Sequence, residues 1–184
     1  MPASRRGLNA LIAQCRRLEA ELDGAGSRES TAMHRFVAEM DAHRAPPGMW
    51  SPLALAVLTM AGGVGVGLGL LSLLLPLVGA AAAAFALVLA CAATALVLAI
   101  GVVAFMGGHA YGLVLLRRLA LGLAAAGALG LIAWTQGDMR AVGPALALSC
   151  GLGAWLVLDS SAFYVYAGYR MARRAMDRRE GRRR

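Results

Sequence analysis

Ser51–Leu75 reads SPLALAVLTMAGGVGVGLGLLSLLL, a run with no acidic or basic side chain. A helix needs roughly 20 apolar residues to cross a hydrocarbon core of about 30 Å, and this run supplies them. Its centre is Gly62-Gly63-Val64-Gly65-Val66-Gly67-Leu68-Gly69. The spacing is not GxGxxG and no strand-turn-helix context surrounds it, so a dinucleotide site is a poor reading. Inside a membrane helix, Gly63/Gly67 and Gly65/Gly69 are instead small-xxx-small pairs that let two backbones approach closely. Gly122, Ala126 and Gly130 repeat the device further along the chain.

Outward from this run, three more apolar stretches follow. Pro76-Leu77-Val78-Gly79 is a tight uncharged turn, and the second stretch covers about 80–106. Gly107-Gly108-His109-Ala110-Tyr111-Gly112 interrupts it, and the third stretch covers about 119–134, short for a span unless it begins before the Arg117-Arg118 pair, with 107–118 either a loop or an interfacial helix. The polar loop Thr135 to Arg140 precedes a fourth stretch at about 144–169, opened by Pro144, a residue suited to a first helical turn. The expected fold is all-α and polytopic: four transmembrane helices within 49–169, taking the first span as 51–75, preceded by two short amphipathic cytoplasmic helices within 1–48 and followed by an Arg-rich cytoplasmic tail, 170–184. Composition agrees, with 59% hydrophobic and 15% charged residues against roughly 45–50% and 25% in soluble domains.

The N-terminal segment carries one apolar stripe at three- and four-residue spacing, Leu8, Leu11, Ile12, Cys15, Leu18 and Leu22. After the Asp23–Ser27 break a second, narrower stripe includes Phe36 and Val37, and Pro46-Pro47 ends it. Helices this short bury too little apolar surface to stand alone. They fold on each other, lie on the membrane, or dock on a partner through Leu8, Leu11, Ile12, Leu18, Leu22, Phe36 and Val37.

All 18 basic residues are arginine, and eight of them follow Tyr169. The positive-inside rule then puts both termini in the cytoplasm, in a bacterial inner membrane as the Arg-, Ala- and Gly-rich composition suggests. Arg170, Arg173, Arg174, Arg178 and Arg179 suit anionic lipid headgroups, each contributing about 1 kcal/mol. Nucleic-acid binding has the right charge but no recognition fold.

Asp159 is the one acid deep inside an apolar stretch. Counted along a straight helix it lies eleven residues, or about 16 Å, before Arg170, close to the membrane midplane and with no arginine of the chain at that depth. A carboxylate there must face helices or water. With Ser160, Ser161 and Thr94 it forms the candidate intramembrane polar site. Cys15, Cys91 and Cys150 are dispersed and form neither a disulfide framework nor a zinc site, and His34, His43 and His109 share no ligand face. No Ser/His/Asp set, paired carboxylates, HExxH or P-loop is present. The sequence therefore predicts a non-enzymatic membrane subunit without cofactor or metal, bound to lipid and to other membrane subunits or copies of itself. A proton- or cation-conducting oligomer using Asp159, and a membrane-acting toxin, holin or immunity factor, are the alternatives.

Overall fold

The computed structural model describes residues 9, 12, 13, 16, 50–107, 109–137 and 140–170. Among these the structure is all-helical. Helix α1 is Trp50–Val78, α2 Ala80–Met106, α3 Ala110–Thr135, α4 Val142–Leu158, and a short α5 spans Ser161–Arg170. Asn9, Ile12, Ala13 and Arg16 are also helical. The second amphipathic segment, with Phe36 and Val37, lies outside the described residues, as do Leu8, Leu11, Leu18 and Leu22.

Three helices, α1 to α3, are individually long and apolar enough to cross a membrane, and α4 with α5 forms a fourth candidate if the bent pair is one span. Their outer faces carry Val57, Phe85, Val88, Leu96, Val103, Leu129 and Leu156 exposed, a continuous apolar coat that only lipid or another apolar surface would solvate. The helices run up and down in a closed ring: α1 against α2, α2 against α3, α3 against α4, and α4 back against α1.

The turns follow from local chemistry. Pro76 sits in the last turn of α1, where it has no N–H to donate to the Ser72 carbonyl and so weakens the helix end, and Gly79 then adopts φ 83, a left-handed value that side chains resist. Gly137 does the same after α3 with φ 88. Pro144 falls in the first turn of α4, where N–H groups have no helical acceptor.

Three boundaries differ from those expected. Helix α1 runs on to Val78 with Pro76 inside it, so only Gly79 is left of the turn expected at Pro76–Gly79. Helix α3 begins at Ala110, not at 119, so Arg117 and Arg118 stand inside it. Gly107, the C-cap, stops the preceding helix, whereas charge alone does not stop α3. The fourth stretch is not one helix: α4 ends at Leu158, and α5 leaves it at 59°. Asp159 is the C-cap of α4, and the Ser160 hydroxyl accepts a hydrogen bond from the Phe163 N–H at 3.2 Å, an N-cap that starts α5.

The buried side chains concentrate at the end of the ring where α5 folds across. Leu55, Leu98, Phe105, Leu113, Leu116, Leu158 and Phe163 pack there, together with Ile12 from the N-terminal segment. Phe105 stacks on Phe163 with ring centroids 5.9 Å apart and lies 6.0 Å from the Tyr166 ring, so α5 is held to the last turn of α2.

Candidate functional site

The ring is assembled on backbone-to-backbone contacts. A Cβ added to Gly65 would lie 2.6 Å from the Ala147 nitrogen and 2.8 Å from the Gly143 oxygen, and one added to Gly143 would lie 2.6 Å from the Gly69 nitrogen. The α1–α4 contact is thus glycine on glycine. On its other side α1 meets α2 through Gly63 against Thr94 and Gly67 against Leu87. Gly130 packs on Pro144, and Ala126 lines an apolar cavity of about 280 Å³ with Gly69, Leu73 and Pro144. Five of the anticipated packing glycines, Gly63, Gly65, Gly67, Gly69 and Gly130, are therefore spent inside the chain. Gly122 is different: nothing lies within 4 Å of its added Cβ.

Other close approaches were not anticipated. Gly127 meets the Leu148 backbone, Gly151 the Ala124 backbone, and Gly112 the backbone of Gly101 and Phe105. The signal was present in Gly143, Ala147 and Gly151, which recur every fourth residue along one face of α4.

The polar residues expected to converge do not. Thr94 is buried against Gly63 and donates its hydroxyl to the Ala90 carbonyl at 2.9 Å. Asp159 stands elsewhere. Gly153 of α4 faces Leu58 of α1, and the two helices run antiparallel, so Asp159, six residues further on, is level with Pro52 in the first turn of α1. Gly63 and Pro52 are eleven residues apart on α1, about 16 Å. Asp159 is exposed at the end of the ring, not deep within it. The straight-helix count fails because α5 turns away and its residues advance obliquely to the bundle axis. The same register alters a second expectation: with Gly151 opposite Ala120 and Ala124, Arg117 and Arg118 stand within about a turn of the level of Asp159. Ser160 donates to the Val157 carbonyl at 2.6 Å as well as capping α5, and Ser161 is exposed.

Three further hydroxyls bond within their own helices, Thr59 to Leu55 at 2.8 Å, Ser72 to Gly69 at 2.9 Å and Ser149 to Ala145 at 2.8 Å, whereas the Ser51 hydroxyl is buried with no hydrogen-bond partner among the described residues. Among the described residues no three His, Cys, Asp or Glu side chains come together, and Cys91 and Cys150 are free thiols.

One polar cavity does form. The described face of the N-terminal segment, Asn9, Ile12, Ala13 and Arg16, has the spacing i, i+3, i+4, i+7, and so does the α3 face it meets, Val114, Arg117, Arg118 and Leu121. Between them lies a space of about 420 Å³. Arg117 donates through Nη1 to Asn9 Oδ1 across it, and Ile12 is buried in the bundle core. The segment thus docks on its own chain, an arrangement outside the three its amphipathicity suggested. At the same end of the ring the Arg170 guanidinium lies over the Tyr166 ring, 5.7 Å from its centroid. Arg173, Arg174, Arg178 and Arg179 lie outside the described residues.

Comparison with protein-family models, with curated proteins and with solved structures finds no match.

Proposed function

We propose that this chain is a non-catalytic, multi-pass subunit of the bacterial inner membrane, with both termini cytoplasmic, that acts by offering a rigid apolar surface to a partner helix. The observation that carries this reading is how the interior is used. Its helix contacts are made by backbone at glycine, and the hydroxyls of Thr59, Ser72 and Thr94 are turned back onto their own helices. Such an interior stabilises a shape and presents no converging reactive groups.

The face of α3 that includes Gly122, Ala125 and Leu129 is the surface best suited to a partner. It points outward, and Gly122 would admit another helix backbone to close range. A second copy of this chain and a different membrane protein are both accommodated by this reading.

Native mass spectrometry after mild-detergent extraction is the test. Wild type is expected as a fixed oligomer or with a stoichiometric partner, and Gly122→Leu as a folded monomer. A monodisperse wild-type monomer that carries no other protein sinks the proposal.

A conduction role for Asp159 has one feature in its favour, the helix break that leaves the side chain exposed beside the C-terminal carbonyls of α4, an end that attracts cations. Liposome flux compared between wild type and Asp159→Asn decides it: no flux, or equal flux, removes that role.

A further inference from the structure

We propose that the cavity between the N-terminal segment and α3 is a binding site for a phosphate-bearing anion, held by Arg16, Arg117 and Arg118 with Asn9. Arg117 and Arg118 stand within an apolar helix, between Leu115-Leu116 and Leu119, yet a guanidinium does not give up its proton to relieve burial. It needs a counter-charge or water. Three positive groups line one space, and among the described residues no carboxylate lines it. Like charges held this close repel, and the arrangement becomes favourable once an anion sits among them.

The fixed geometry points to the same chemistry. Asn9 accepts from Arg117 through its carbonyl oxygen, which orients the guanidinium without neutralising it. The amide nitrogen of Asn9 still has two protons to donate. Guanidinium groups grip phosphate oxygens through paired N–H donors, which suits a phosphate better than a chloride or a single carboxylate. Both walls also carry apolar side chains, Ile12 and Ala13 on one and Val114 and Leu121 on the other. A lining that sets guanidinium groups among apolar side chains fits a molecule with a phosphate head and a hydrocarbon body.

The depth fits as well. Arg117 is seven residues into α3 from Ala110, about 10 Å from that helix end. If α3 spans the bilayer centrally, the Arg117 Cα lies about 6 Å inside the edge of the hydrocarbon core, a depth from which a long arginine side chain reaches up to the headgroups. An anionic phospholipid of the leaflet on the Trp50 side and a soluble phosphate compound entering from the aqueous side share this chemistry. The inference goes beyond the subunit reading, and its first step, anion binding, does not depend on it.

The full-length chain, delipidated in detergent, should be titrated by native mass spectrometry with phosphatidylglycerol, phosphatidylcholine and inorganic pyrophosphate. Phosphatidylglycerol should bind more tightly than phosphatidylcholine, and Arg117→Gln/Arg118→Gln should weaken it by about thirty-fold, two arginines' worth of anion attraction. Arg16→Gln should weaken it by about five-fold while leaving α1–α5 untouched, which covers the case of a double variant that does not fold. Arg140→Gln, at the other end of α3–α4, should bind as wild type does. Pyrophosphate binding that is lost in the same variants, with no preference between the lipids, assigns the site to a soluble ligand. Overturning results are wild-type affinity for phosphatidylglycerol in both arginine variants, or binding of neither probe by wild type.

Discussion

A methyl group is enough to test how α3 and α4 are held. At Gly127 an added Cβ would sit 2.3 Å from the Leu148 nitrogen, a backbone atom that cannot swing aside, whereas at Gly122 it would meet nothing. In lipid the association of helices rests on close packing, since burying apolar surface gains little over leaving it in hydrocarbon. Gly127→Ala should therefore separate the helices and cost about 2 kcal/mol, the scale of overpacking a filled core. Gly122→Ala should stay within about 0.5 kcal/mol of wild type, as substitutions on an open surface do. Unfolding of the two variants in mixed detergent, followed by circular dichroism, would check this, and equal effects would mean that α3 meets α4 on another face. These two positions also mark the limit of a sequence-only reading. The alternation of small residues in α3 was visible, but Ala120, Ala124 and Gly127 point at α4 while Gly122 points away, and a segment small and apolar on several faces does not reveal which side is inside.

At the scale of the helix, the break between α4 and α5 shapes the functional end. Ser160 caps α5 through its hydroxyl, and Ser160→Ala should cost about 1 kcal/mol. The loss should be local. Hydrogen–deuterium exchange is expected to accelerate over Phe163 to Tyr169 while α1 and α4 keep their protection, and uniform acceleration would show that α5 is integral to the bundle's stability. The docked N-terminal segment permits a second check. Cysteines placed at Ala13 and Val114, which line one cavity, should be joined by a short bismaleimide in a cysteine-free background. Failure to crosslink in the folded protein would remove the docking geometry and the anion site with it. The extent of α2 is legible: it runs from Ala80 to Met106 as its apolar pattern suggests, with Gly79 alone dividing it from α1, which carries Pro76 inside its last turn. The ends of α3 and α4 are not legible. Arg117 and Arg118 looked like a boundary because charge disfavours lipid, but a long side chain escapes that cost by reaching Asn9 and the cavity. Asp159-Ser160-Ser161 carried a stop-and-restart signal of side-chain caps, overshadowed by apolar residues on both sides. A straight-helix count takes no account of the 59° bend, and so it puts Asp159 and its neighbours deeper than the structure does.

For the molecule as a whole, the question is which end of the ring faces the cytoplasm. Arg117, Arg118 and Arg170 belong to the end that holds Trp50, Phe105 and the α4–α5 break, and Arg140 stands alone among the described arginines at the other. Arginine next to the membrane is retained on the cytoplasmic side, and the proposed orientation, with the Trp50 end there, rests on that rule. Helix α3 has 26 residues, about 39 Å, which exceeds a hydrocarbon core of about 30 Å and leaves both of its ends in or beyond the headgroups. His109 and Gln136 cap those ends, and both are exposed. With Cys15, Cys91 and Cys150 replaced by alanine, Gln136→Cys should react with a membrane-impermeant maleimide added to intact cells. His109→Cys should react only after the membrane is opened. The reverse pattern would invert the topology and put the arginine cavity in the outer leaflet of that membrane. Labelling of both from outside would mean that α3 does not cross at all. That outcome would leave the glycine contacts standing as packing, but it would remove the bilayer as the reason for the apolar coat, and a partner protein would have to cover it instead.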